Sequence, residues 1–174
     1  MRPRAIISYL AVASWVVAAA GAAFGAPSGA LAGEVRTDTP SGRPVPRFVS
    51  LKSSETNCRI GPSFEHPVRY VFKKAGAPVI IVAESVDHWR KIRDFSGDEC
   101  WVHQTTLKAV SQVIALAEVE LHAKPRADAP VRGRLGVRAF AKIEKRRDGW
   151  LLLSAADAKG WAPAGALWGA NAPH

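Results

Sequence analysis

The order of residues between positions 58 and 107 is written a second time between positions 121 and 167. Cys58-Arg59-Ile60-Gly61-Pro62 is echoed by Leu121-His122-Ala123-Lys124-Pro125, and Pro67-Val68-Arg69 by Pro130-Val131-Arg132. Asp87-His88-Trp89 returns as Asp148-Gly149-Trp150. Trp101 returns as Trp161, each followed six residues later by a leucine, Leu107 and Leu167. A period of about 60 residues is longer than a solenoid repeat and describes two copies of one compact unit. A unit that small buries only a modest share of its surface and is marginal alone, so packing of the two copies or a covalent staple would help.

Within each copy the apolar runs are short and are interrupted by Gly, Pro, Asp or Asn. Phe48 to Leu51, Val68 to Phe72, Val79 to Ala83, Trp89 to Arg93 and Glu99 to His103 read as strands. The run Val79-Ile80-Ile81-Val82 is apolar on both faces, as befits a strand covered by a neighbour. The fold expected is all-β: two tandem small barrels at residues 47–108 and 113–169. Residues 109–121 place apolar side chains at helical spacing, but their β-branched residues favour a strand around Val113 to Leu116. Residues 33–46, with three prolines and two glycines, have the composition of an extended linker.

The N-terminus speaks to compartment. Arg2 and Arg4 precede a stretch from Ala5 to Gly33 without a charged residue, and small-residue exits occur at Ala23-Phe24-Gly25 and Ala30-Leu31-Ala32. This is the layout of a secretory signal over residues 1–32, with an uncleaved anchor as the competing reading. Either implies export, to the periplasm or outside the cell, and cleavage leaves no segment for membrane insertion. In that oxidising setting Cys58 and Cys100 form one intramolecular bridge or remain two buried thiols. The 24 Lys and Arg against 15 Asp and Glu are spread over both copies, a diffuse positive field suited to anionic polymers. Export directs that field to the envelope rather than to nucleic acid, so no nucleic-acid partner is expected.

Motifs for catalysis are missing. The five histidines form no metal-binding pair at helical spacing, no G-x-S-x-G elbow surrounds a serine, and Gly133-x-x-Gly136 lacks the Lys-Ser of a phosphate loop. Cys100 and His103 are three apart on one strand and point to opposite faces, which argues against a Cys–His nucleophile. The expectation is a non-enzyme without metal or cofactor.

Asn57-Cys58-Arg59-Ile60-Gly61-Pro62-Ser63 resembles the N-x-R-x-G-P-S opening of bacterial SH3-like (SH3b) domains. Asp87-His88-Trp89-Arg90-Lys91-Ile92 and Cys100-Trp101-Val102-His103 resemble that family's D-x-W-x-x-V and G-W-V strands. The lead-in at 43–52 and the ending Leu167-Trp168-Gly169 resemble a two-domain subfamily of exported alphaproteobacterial proteins. The second copy is degenerate, with Lys124 in place of glycine and Ala162-Pro163 in place of an apolar strand. Cys58 and Cys100 stand where the family has an aliphatic residue and a glycine, a paired departure that suits a local disulfide.

The resemblance implies a shallow groove for extended ligands, lined on the first barrel by Phe64, His66, Tyr70, Trp89 and Trp101, with Arg90 or Arg93 at its rim. Aromatics supply stacking area, and arginine supplies bidentate recognition of carboxylates. The same tryptophans also suit a core role, Trp89 and Trp150 each sealing one end of a barrel. The function implied is a non-catalytic binding module for peptidoglycan stem peptides or an extended segment of an envelope protein. An accessory subunit of a cell-wall hydrolase and a basic single-strand nucleic-acid binder are the alternatives.

Overall fold

The computed structural model describes residues 35–156 and 158–170, and the expected signal peptide lies outside them. The first sheet is built from β1 (Arg47–Leu51), β2 (Thr56–Arg59), β3 (Val68–Phe72), β4 (Pro78–Glu84), β5 (Trp89–Arg93), β6 (Glu99–His103) and β7 (Leu107–Lys108). The second contains β8 (Gln112–Ala115), β9 (Val119–His122), β10 (Val131–Leu135), β11 (Phe140–Arg147), β12 (Trp150–Ala155), β13 (Ala158–Pro163) and β14 (Leu167–Trp168). Strands run β3-β2-β6-β5-β4-β1-β7 in one sheet and β10-β9-β13-β12-β11-β8-β14 in the other, the same order twice. Every pairing is antiparallel. The chain is an all-β protein of two SH3-like units.

Strand alternation builds each core. In the first sheet Leu51, Cys58, Val79, Ile81, Ile92, Cys100 and Val102 meet inside, with Val49, Tyr70, Phe72 and Leu107 packed around them. In the second, Val113, Ala115, Val119, Leu121, Leu135, Leu151, Leu153 and Ala162 do the same. Within 109–121 the chain is strand at β8 and the start of β9 and not helical, and β8 pairs with β11. Ala162-Pro163 also stays in register, opposite Leu151 and Trp150, so the departure from an apolar pattern does not break β13.

A disulfide joins Cys58 on β2 to Cys100 on β6, with Cα atoms 5.5 Å apart, and clamps these two neighbouring strands together.

Residues 36–45, within the stretch expected as a linker, lie against the first sheet. Val45 is buried in the first core, Arg36 and Val45 form a backbone bridge, and Ser41 bonds through its amide and hydroxyl to Glu84. One apolar side chain with a cavity to fill, and one carboxylate needing donors, are enough to hold a proline-rich strap down.

The sheets also touch. Trp168 of β14 receives the edges of Phe48 and Phe95, with ring centroids 5.0 and 5.5 Å away. Gly76, with φ of 79°, permits the approach of Gln112, whose side chain would overlap a Cβ at that position.

Candidate functional site

The outward face of β2, β6 and β5 follows from the inward one. Cys100 and Val102 are buried in the core, so Glu99, Trp101 and His103 point out. Across the ladder Trp89 opposes His103, Lys91 opposes Trp101, and Arg93 opposes Glu99. Trp101 is opposed on its other side by Arg59. This row structure makes a surface of two tryptophans, a histidine and three cations on three adjacent strands.

The loop 60–67 supplies its most exposed member. Phe64 is 67 % exposed, yet it sits edge-on to Trp89, with centroids 4.9 Å apart at 68°. It also leans on His103 at 5.5 Å, and Trp89 meets His103 at 5.4 Å, closing a three-ring cluster. The Arg59 guanidinium lies 5.8 Å from the Phe64 ring centre and donates to the His66 carbonyl at 2.6 Å, so it ties both ends of the loop. The His66 ring occupies the space that a Cβ on Gly61 would need, which is why the loop turns there on glycine. Ile60 and Val68, at the ends of the loop, are exposed as well.

Of the expected site residues, the structure brings Phe64, Trp89 and Trp101 to this face and places His66 beside them. Trp89 is only 4 % exposed because Phe64 lies over it. Arg93 shares the face but is engaged. Glu99 accepts from its Nε and Nη2 at 2.9 and 2.6 Å, and Lys91 pairs with the same carboxylate at 2.6 Å. Hydrogen bonds from Lys91 and Arg93 hold the Glu99 carboxyl below the usual carboxylate range.

Two expected residues do not belong to the face. Tyr70 pairs with Cys58, points to the core side and packs against Phe72. Burial, with the fields of Asp94 and Asp98, pushes its hydroxyl up to about 12. Arg90, expected at the rim, is 5 % exposed. It alternates inward from Trp89, pairs with Glu84 at 3.3 Å and donates to Gln104 Oε1 at 2.9 Å. A cation this deep is retained because a fully covered carboxylate, shared with Arg47, is waiting for it. Arg59 and His103 were absent from the expected set. The antiparallel hairpin β5–β6 carries the signal for His103, since its register sets Trp89 opposite that residue.

The second sheet does not repeat the cluster. Its shared register puts His122 opposite Trp161 and Pro163 opposite Trp150, and the loop 123–130 holds no aromatic residue. Among the described residues, no group of three or more His, Cys, Asp or Glu side chains is placed to hold a metal ion. No helix among them is long and apolar enough to cross a membrane.

Residues 52–108 match the bacterial SH3 domain family. The match spans the disulfide, the aromatic face and all but the first strand of the first sheet. No curated protein matches the chain. Among solved structures the chain is similar to NlpC2 from Trichomonas vaginalis, at 16 % identity over 71 % of this chain and 44 % of that one, with a TM-score of 0.31. NlpC1 from the same organism gives 15 % identity over 70 % and 45 %, also at 0.31. The chain spans less than half the length of either. The bacterial SH3 domain and its disulfide fit an extracytoplasmic protein.

Proposed function

We propose that this protein is an exported, non-catalytic binding module whose first SH3-like unit holds an extended acidic ligand of the envelope on the face of β2, β6 and β5. A peptidoglycan stem peptide is the ligand favoured, and an extended segment of an envelope protein is the second. A two-domain exported subfamily, spanning residues 43–169, is the setting that suits both.

The observation that carries this reading is the exposed ring of Phe64, held on Trp89 and His103 beside the Arg59 guanidinium. A phenyl ring kept in water but prevented from wandering has its ordering cost already met before a ligand arrives. Arg59 forms no salt bridge with a carboxylate among the described residues, so its remaining donors suit a ligand's acid group. A subunit that guides a wall hydrolase would use the same face.

Co-sedimentation with purified sacculi tests the proposal. Wild-type protein should sediment at low salt and be released as salt rises, because exposed charges are screened over about 8 Å at physiological ionic strength. Phe64→Ala should stay in the supernatant. Retention on single-stranded DNA with no binding to sacculi would sink the wall reading and leave the nucleic-acid alternative standing.

A further inference from the structure

A second site lies away from the aromatic face, where the two sheets meet. A cleft of roughly 790 Å³ is lined by Arg43, Arg47, Arg90 and Lys108 from the first unit and its strap, and by Arg146 from β11 of the second. Among the described residues no acidic side chain lines it. Its remaining wall is largely apolar, with Phe48, Leu107 and Val110 among the contributors. The volume falls within the range of about 300–1,000 Å³ that small-molecule sites occupy.

The charges are not balanced internally. Behind the wall the Glu84 side chain is fully covered and pairs with both Arg47 and Arg90, so one carboxylate serves two guanidinium groups. Burial lowers the Arg90 pKa; Glu84 opposes that effect, and the fields of Arg47 and Arg43 add to it. Arg43, Lys108 and Arg146 form no salt bridge among the described residues. Arg146 donates to the Ala170 carbonyl at 2.6 Å, which steadies its head at the cleft. Arg47 is 9 % exposed, and its Nε is buried with no hydrogen-bond partner. A buried charged donor left without a partner is costly and calls for an acceptor.

We propose that this cleft is a binding site for an amphiphilic anion, whose carboxylate or phosphate head meets the five cations while a short apolar stem lies along Phe48, Leu107 and Val110. Because Arg146 comes from the second sheet and the other four cations from the first, an occupied cleft ties the two units together. This gives the second unit a role that does not require an aromatic face of its own.

The test uses the full mature chain, with hexanoate, hexyl phosphate and hexanol as probes in amide-resolved NMR titrations. Either acid should shift the amides of Arg43, Phe48, Gln104, Lys108 and Arg146, and the tighter of the two identifies the head group. Hexanol, with the same stem and no charge, should bind at least tenfold more weakly. Lys108→Gln and Arg146→Gln should each weaken the acid at least fivefold. Lys108 is exposed and makes no side-chain bond in the fold, so it decides the matter even if Arg146→Gln loosens the contact with Ala170. Equal affinity for hexanol and the acids, unchanged affinity in Lys108→Gln, or shifts centred on Phe64 and His103 would each overturn the proposal. Those outcomes leave the sacculus experiment unaffected, since neither substituted residue lies on the aromatic face.

Discussion

Trp89 and His103 stand directly opposite one another in the β5–β6 ladder, with ring centroids 5.4 Å apart at 74°. Strand pairing, not a loop, therefore sets the floor on which Phe64 rests. Sites carried by strands hold their geometry better than sites carried by loops, so only the upper ring of the cluster depends on the loop 60–67.

This division predicts how Phe64→Ala behaves. The lost edge-to-face contact is worth about 0.5–1.5 kcal/mol, and its removal uncovers part of Trp89. Thermal unfolding should shift by only a few degrees, while affinity for soluble muropeptides should fall about tenfold, the change that 1.4 kcal/mol produces. Scanning calorimetry measures the unfolding shift, and titration calorimetry on the folded variant measures the affinity. Undiminished muropeptide affinity would remove Phe64 from the site.

Reduction of the Cys58–Cys100 bridge should destabilise the first unit selectively. The bridge closes 42 residues of chain, for which loop-closure entropy gives about 4 kcal/mol before strain. Both sulfurs lie in the core, so Cys58→Ser also buries a hydroxyl there. Urea unfolding with and without reductant, followed by the amides of β2 and β10, should show the β2 transition moving to lower urea and the β10 transition holding. Coincident shifts would mean that the units unfold as one.

How much of this was legible beforehand varies by element. The strands β3, β4, β5 and β6 announce themselves through apolar runs between turn residues. β2 does not, because in Thr56–Arg59 only Thr56 and Cys58 face inward and the other two are polar. The aromatic face was half legible. Phe64, Trp89 and Trp101 could be singled out by residue type and family likeness, whereas Arg59 and His103 join them only through cross-strand register. Arg90 is the harder case. Its neighbours Lys91 and Arg93 face solvent; alternation with Ile92 turns Arg90 inward, but a charged side chain on the core side needs a partner that the strand itself does not supply. What holds it inside is its pairing with Glu84, which depends on the register shift between Ile81 and Ala83. A bulge of one residue leaves no trace in hydrophobic pattern.

Tyr70 offers a spectroscopic check on the inward placement of β3. The chain has two tyrosines, and Tyr9 lies in the expected signal segment, so a processed protein carries Tyr70 alone. Its tyrosinate absorbance should appear near pH 12 rather than near the ordinary tyrosine value of 10. Since the folded pKa is the higher one, the stabilisation is full below pH 10 and is lost as pH rises through about 12. A transition close to 10 in folded protein would put the hydroxyl in water.

Glu84 is the residue on which acid stability of the first unit should turn. Burial alone would raise its pKa, but hydrogen bonds from Arg47 and Ser41 together outweigh burial and bring the carboxyl below the ordinary glutamate value of 4.5. A lowered folded pKa means stabilisation that is complete above about 4.5 and declines as pH falls through the folded value. Glu84→Gln removes the charge at every pH and leaves Arg47 and Arg90 facing each other without a counter-ion. Breaking a buried ion pair from one side costs about 3–5 kcal/mol, so the variant should melt well below wild type at pH 7. It should also lose the acid-dependent part of the curve, because the group that titrates is gone. Melting temperatures of both proteins from pH 7 down to pH 3 provide the measurement. Parallel curves would show that the acid dependence arises elsewhere, with Glu99 and its two cations the next pair to test.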